Sequence, residues 1–304
     1  ATVDLRGEIL RDTVSVSVDG AFDTGAHWED TGEPRDTGEP PDPSCWDEHF
    51  EPRANLGDLK SGFSGGNARA TMTEVFERRW RAGADLLDAQ SHDPYIDVFL
   101  ETGSWGAFID SLGTVVHETV HGWDYENSLG GSGGTFRYWF HRDLKPKAPW
   151  VDGFPRSNIK DRVQGDSTSL YYLYLTGQQG GYGWVELLDE ANCYVNGLGA
   201  LAAVGDQMPW GTSAVDGAVA FLYYIALYIE EAQQEQPSVY GQIHVQAFQD
   251  IVRDLWLRTH FFLVEADQNP KLSVEGDRIK QLLYPKEALI EDFIGAQLDG
   301  HCVQ

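Results

Sequence analysis

The sequence predicts an α+β fold, with a small mixed sheet and two early helices ahead of a mainly helical C-terminal half. Three observations predict it. Apolar and polar residues alternate at 8–19 and 95–103, and "TFRYWFHR" near 135–142 is rich in aromatics, which marks strands. Apolar residues recur at three- and four-residue steps over about 68–89 and 106–125, which marks helices. From residue 184 onward helical patterns dominate, over about 184–204, 213–234, 238–263 and 276–298. Strands therefore precede most helices rather than alternating with them, which argues against a doubly wound sheet.

The elements follow in chain order. Residues 1–22 form an N-terminal strand region, clearest in "TVSVSV". Residues 23–66 read as an acidic, Pro- and Gly-rich loop or linker that buries little. It carries Asp-Thr-Gly at 23–25, 30–32 and 36–38. That triplet is also an aspartic-protease signature, but a tandem copy in a low-complexity run lacks the buried hairpin the chemistry needs. Residues 67–304 form the main domain, an upper part to about 125 and a helical lower part beyond it. Its first helix has Met72, Val75, Phe76, Trp80, Leu86 and Leu87 on its apolar positions. Pro94 precedes the strand expected at 95–103, with Ile96, Val98 and Leu100 on one face. "GGSGG" at 130–134 matches G-x-S-x-G around Ser132, but a nucleophile elbow needs a strand before it and a helix after it, the reverse of the order here. "HRDLKPKAP" at 141–149 imitates a kinase catalytic loop, yet Ala148 stands where the metal-binding Asn belongs.

Composition narrows function. The chain has 304 residues, 48 of them acidic and 22 basic, for a net charge of −26. Such a field repels nucleic acid and anionic lipid, and it suits an exported protein and cations such as Ca²⁺. The longest apolar stretch, "AVAFLYYIALYI" at 218–229, is too short to span a membrane. The cysteines are Cys45, Cys193 and Cys302, with no C-x-x-C among them. In an oxidising compartment Cys45 and Cys302 are the expected pair, leaving Cys193 as a buried thiol. The chain begins "ATVDL", as it would after removal of a signal peptide.

The chemistry concentrates in "HETVHGWDYE" at 117–126. Positions four apart share one face of a helix, so His117 and His121 can reach one metal ion. Glu118 stands beside the first of them, and Val116, Val120 and Trp123 supply an apolar face to anchor the helix. Histidine is scarce, 9 in the chain, so a chance H-E-x-x-H is uncommon. A catalytic zinc takes three protein ligands and keeps one position open. The metzincin spacing would require Gly and His where Asp124 and Asn127 stand, and the one upstream cysteine, Cys45, lies in the acidic segment. Asp216 in "GTSAVDG" is out of step with a G-T-x-D arrangement. A glutamate from a later helix remains. In "WVELLDEANCYVNGLGAL", Glu190 sits mid-helix among small and apolar residues, where a carboxylate is costly to bury unless a cation accompanies it. Glu186, one turn earlier, is the rival nearer the helix start.

H-E-x-x-H followed by a glutamate on a downstream helix resembles the gluzincin-type zincin metallopeptidases, at the level of the motif. The resemblance implies a zincin-like fold: a backing helix, an edge strand at 95–103, an active-site helix and a helical lower half across a cleft. It implies a zinc site of His117, His121 and Glu190, with Glu118 as general base for a zinc-activated water and a peptide or protein as substrate, bound along the edge strand. Asp124, three residues past the second histidine, would then fix the tautomer of His121. Tyr194 takes the position where many gluzincins carry an acidic residue, one turn past the ligand glutamate, and would support the site from behind. Tyr182, in "GGYGW", is the first choice as donor to the reacting carbonyl, with Tyr194, His244 and His260 as rivals. The expectation is a secreted zinc endopeptidase. Its competitor is an extracellular binding or surface protein whose zinc is structural or absent.

Overall fold

A computed structural model describes Trp46 and residues 48–131, 133–163 and 169–298, all within the unit formed by 37–304. The strand expected at 8–19, the Asp-Thr-Gly segment, Ser132, Cys45 and Cys302 lie outside the described residues.

A short helix α1 (Gly57–Gly62) leads to α2 (Ala68–Arg79) and α3 (Arg81–Ala89). The sequence reads as one helix there, and the structure breaks it at Trp80, whose backbone is extended at φ −154° and ψ 92°. The break places the indole in the core and lets Trp80 bridge to Phe50. Gly83 makes room for it, since a Cβ there would lie 2.4 Å from the Trp80 ring.

The strand expected at 95–103 is not one. Residues Tyr95–Phe99 form a short helix, α4, started by Pro94. Ile96 and Leu100 are both buried, as alternation requires, but they are also one helical turn apart, and Val98 between them is 60% exposed. The alternation was therefore ambiguous, and helical spacing prevails. No edge strand for strand addition stands ahead of the histidine helix among the described residues.

Helix α5 (Trp105–Glu126) carries the H-E-x-x-H stretch, capped at its start by Ser104 Oγ accepting from Ala107 N at 3.2 Å. The small sheet follows it: β1 (Thr135–Arg137) and β2 (Lys147–Pro149) pair antiparallel, Phe136 opposite Ala148. A 3₁₀ segment Arg156–Arg162 and a π-helical turn Tyr172–Thr176 lead to α6 (Trp184–Ala203). The remainder is helical: α7 (Ala214–Glu235), α8 (Pro237–Ile243), α9 (Gln246–Ala266), α10 (Gly276–Leu283) and α11 (Glu287–Ile294). Two expected long helices are broken, at His244–Val245 and at Tyr284–Lys286, where Pro285 lacks the N–H that continuity needs. The architecture is thus mainly helical with a two-stranded antiparallel sheet. No helix of the described residues is long and apolar enough to cross a membrane.

Helices α5 and α6 cross at glycines. A Cβ on Gly113 would lie 2.6 Å from Leu201, and one on Gly197 would lie 3.2 Å from the Gly113 carbonyl and 3.8 Å from the His117 Cβ. A bare Cα at each position eases this close approach. That approach brings the two halves of the candidate site together. The segment from Trp46 is tied to the same body: Arg258 of α9 donates to both oxygens of Glu48 at 2.9 and 3.1 Å, and the indoles of Trp46 and Trp80 donate to the same carboxylate.

Candidate metal centre

The apolar face predicted for α5 is buried: Val116 and Val120 are fully enclosed, and Trp123 packs edge-on against Trp139. This fixes the rotation of the helix and turns His117 and His121 toward α6. Their Nε2 atoms are 3.2 Å apart. Glu190, arriving from α6, places Oε2 3.7 Å from His117 Nε2 and 3.6 Å from His121 Nε2. All three side chains are buried or nearly so. Glu190 Oε2 is enclosed and accepts no hydrogen bond.

Behind the histidines the expected arrangement is corrected. Asp124 does not hold His121. Asp189, the neighbour of Glu190, places Oδ2 2.7 Å from His121 Nδ1. A proton held on Nδ1 by this carboxylate leaves the Nε2 lone pair facing Glu190 and His117. Asp124 stands one step further back. It accepts from Trp139 N at 2.7 Å and from Asn192 Nδ2 at 3.1 Å, and the charge of Asp189 opposes its ionisation. Asn196 continues the chain, donating to Asn192 Oδ1 at 3.1 Å and accepting from Arg258 at 2.9 Å. A buried polar network therefore runs from Asp124 to Glu48, next to the Asp189–His121 pair.

The electrostatics follow from burial and crowding. Burial disfavours a charged His117 and the charge on His121 adds to that, lowering its pKa to about 3. Burial opposes charge on His121 too, but Asp189, Cys193 and Glu190 outweigh it and raise its pKa well above the ordinary range. Burial alone would raise Glu190, yet His121, Arg156 and His117 hold it at about 2. Burial, with Glu190, Asp189 and Asp93 adding to it against the pull of His121, raises Glu118 to about 7. Asp124 is pushed well up by burial and then by Asp189.

The tyrosines are placed unevenly. Tyr194 sets its ring 4.7 Å from that of His117 and its hydroxyl 3.0 Å from that of Tyr174. Tyr182 is half-buried, with the Arg156 guanidinium over its ring at 5.5 Å. His244 stacks on Tyr240 and His260 on Trp256, neither against a member of the cluster. Glu186 accepts from Gly183 N at 3.2 Å, a helix-start role. Asp216 accepts from Val274 N and Glu275 N at 3.0–3.2 Å and shapes the loop before α10. Cys193 is a buried free thiol, 4.0 Å from Asp189 Oδ1.

Among the described residues, two groups have donor atoms close enough to share an ion, His117–His121–Glu190 and His121–Asp189–Cys193. Neither is the all-oxygen set that Ca²⁺ takes. No protein-family model matches the chain, and no curated protein or solved structure matches it either.

Proposed function

We propose that the protein is a zinc-dependent metallopeptidase of the gluzincin type, acting outside the cell on peptide or protein substrates. One observation carries the reading. Four ligands arranged tetrahedrally at 2.0–2.1 Å from zinc lie about 3.3 Å from one another. The three donor atoms of His117, His121 and Glu190 stand 3.2, 3.6 and 3.7 Å apart. The fit extends to chemistry, since the set offers two imidazoles and a carboxylate, and the unpartnered Glu190 Oε2 faces both histidines. Three protein donors rather than four suit a catalytic site with one open position.

Zinc held there would polarise the scissile carbonyl and acidify the attacking water. The remaining steps fall to side chains. Glu118, next to His117 and largely buried, would take a proton from the water and return it to the leaving amine. Asp189 keeps His121 in the tautomer that presents Nε2. Tyr194, whose ring lies against His117 and whose hydroxyl meets that of Tyr174, joins Tyr182 as a candidate to donate to the developing oxyanion. A zincin-like plan belongs to this reading, with α2 and α3 as backing helices, α5 as active-site helix and α6 supplying the third ligand.

The test combines zinc analysis with digestion of a peptide library by the wild type, Glu118→Gln and Glu190→Ala. The reading expects Glu118→Gln to keep zinc and lose cleavage, and Glu190→Ala to lose zinc. Unchanged zinc affinity in Glu190→Ala refutes the ligand set. Stable zinc without cleavage of any peptide by the wild type points instead to a structural metal in a binding protein.

A further inference from the structure

One buried charge beside the donor cluster has an unfilled hydrogen-bonding position. Arg156 is 0% exposed. Its Nε donates to the Gln179 carbonyl at 2.8 Å and its Nη2 to Gln179 Oε1 at 2.7 Å, while Nη1 has no partner. A charged N–H enclosed without an acceptor is costly, and native structures rarely leave one without a reason. The backbone is equally fixed, with Arg156 N donating to the Tyr182 carbonyl at 2.7 Å.

The place matters as much as the vacancy. The guanidinium lies over Tyr174 at 5.0 Å and over Tyr182 at 5.5 Å. Tyr174 meets Tyr194 hydroxyl to hydroxyl, and the Tyr194 ring lies against His117. Two tyrosines, Tyr174 and then Tyr194, thus lead from the guanidinium to His117, and its charge acts on Glu190. Glu190 nevertheless makes no hydrogen bond to it: Glu190 Oε2 and Arg156 Nη1 are both unpartnered. The arginine is therefore not consumed in a salt bridge to the cluster. It is held by a neutral glutamine, oriented, and left with one donor edge open, which is the form an anion-recognition residue takes.

We propose that Arg156 recognises a carboxylate on the substrate close to the scissile bond, through Nη1, and that the half-buried Tyr182 ring is the cover that moves to admit it. The proposal rests on the metallopeptidase reading and adds the substrate class. The carboxylate has two sources, the C-terminus of a peptide or an Asp or Glu side chain.

The experiment uses the whole zinc-loaded protein and three small hydroxamates: acetohydroxamate, succinic acid monohydroxamate, and the neutral amide of the latter. The carboxylate probe should bind the wild type about tenfold or more tightly than its amide, the scale of one charged hydrogen bond. Arg156→Met should erase that preference and Arg156→Lys should keep part of it, each read as the carboxylate-to-amide ratio within one variant, so that any change in metal binding, followed by acetohydroxamate, cancels. Equal affinity of the carboxylate and amide probes for the wild type overturns the proposal, a result that needs no variant to fold. A preference that survives in Arg156→Met overturns it as well. Failure of all three probes to bind refutes the metal reading itself, and the subsite with it. The source is read from kcat/KM on paired peptides: free against amidated C-terminus with neutral side chains, and Glu against Gln within amidated peptides. A preference of about tenfold in the first pair assigns the C-terminus, in the second a side chain, and in neither overturns the proposal.

Discussion

Asp189 and His121 are joined across the α5–α6 contact by a 2.7 Å hydrogen bond, from the residue immediately before the third metal-ligand candidate. One helical step on α6 therefore supplies both the carboxylate that would take the ion and the carboxylate that orients a neighbouring imidazole. Partners of this kind typically change metal affinity 10- to 100-fold when removed. Asp189→Asn, which keeps the shape and loses the charge, should weaken zinc binding by about that factor while leaving the helical circular dichroism intact. Competition with a chromophoric chelator measures it. Affinity within twofold of the wild type would leave the pair a purely structural one.

The glycine crossing makes a second prediction. Gly197 stands where a Cβ would press on the Gly113 carbonyl at 3.2 Å and approach the His117 Cβ. Gly197→Val should spread the helices, at a cost of about 1–3 kcal/mol, the range for overfilling a packed interior. Because the donors sit on opposite sides of the crossing, zinc affinity should fall with stability. Urea unfolding with and without zinc separates the two effects. Loss of stability with unchanged zinc affinity would show that the crossing does not set the donor spacing.

How much of this was legible beforehand follows from the range of each signal. His117 and His121 are paired by the geometry of a single helix, so spacing alone brings them together. Glu190 was accessible through a burial argument, because α6 is apolar over most of its length. The sequence points to Asp124 rather than Asp189, because contact with His121 depends on how α6 is rotated against α5. A signal did exist: two adjacent carboxylates, Asp189 and Glu190, lie in an apolar helix with no basic residue within it. The strand expected at 95–103 failed because Ile96 and Leu100 satisfy either period. The break at Trp80 depends on a distant partner, Phe50, which no local pattern contains.

The other end of the buried network carries a third prediction. Glu48 and Arg258 are almost wholly enclosed, with side-chain exposures of 3% and 0%. Removing one member of such a pair leaves an uncompensated charge, which typically costs about 3–5 kcal/mol. Arg258→Met should lose stability on that scale, read as a lower urea midpoint with little change in slope. The double variant Arg258→Met/Glu48→Gln should recover part of the loss, since no charge is then stranded. If the double variant is no better than the single, the cost lies in packing around Trp46 and Trp80 rather than in the charge.

His260 gives the fold a pH dependence separate from the metal-ligand candidates. It is buried on α9, stacked on Trp256 at 4.8 Å, with Nδ1 2.9 Å from the Trp256 carbonyl and Nε2 without a partner. Burial, aided by the charge of Lys280, lowers its pKa from 6.5 to about 4. The depressed value fixes the sign. Above pH 6.5 the imidazole is neutral in both folded and unfolded chains, and its contribution is fully present. Between pH 6.5 and about 4 the unfolded chain binds the proton and the folded one resists it, so stability falls with pH across that window. At 1.36 kcal/mol per unit, the loss is about 3 kcal/mol when complete. His260→Phe keeps the aromatic stack and removes the titration. Its unfolding free energy, followed from pH 7.5 to about 4, should fall less steeply than that of the wild type by this amount. His117 and the carboxylates titrate alike in both proteins and cancel in the difference. Parallel pH profiles would mean that His260 takes up its proton as readily in the folded chain as in the unfolded one.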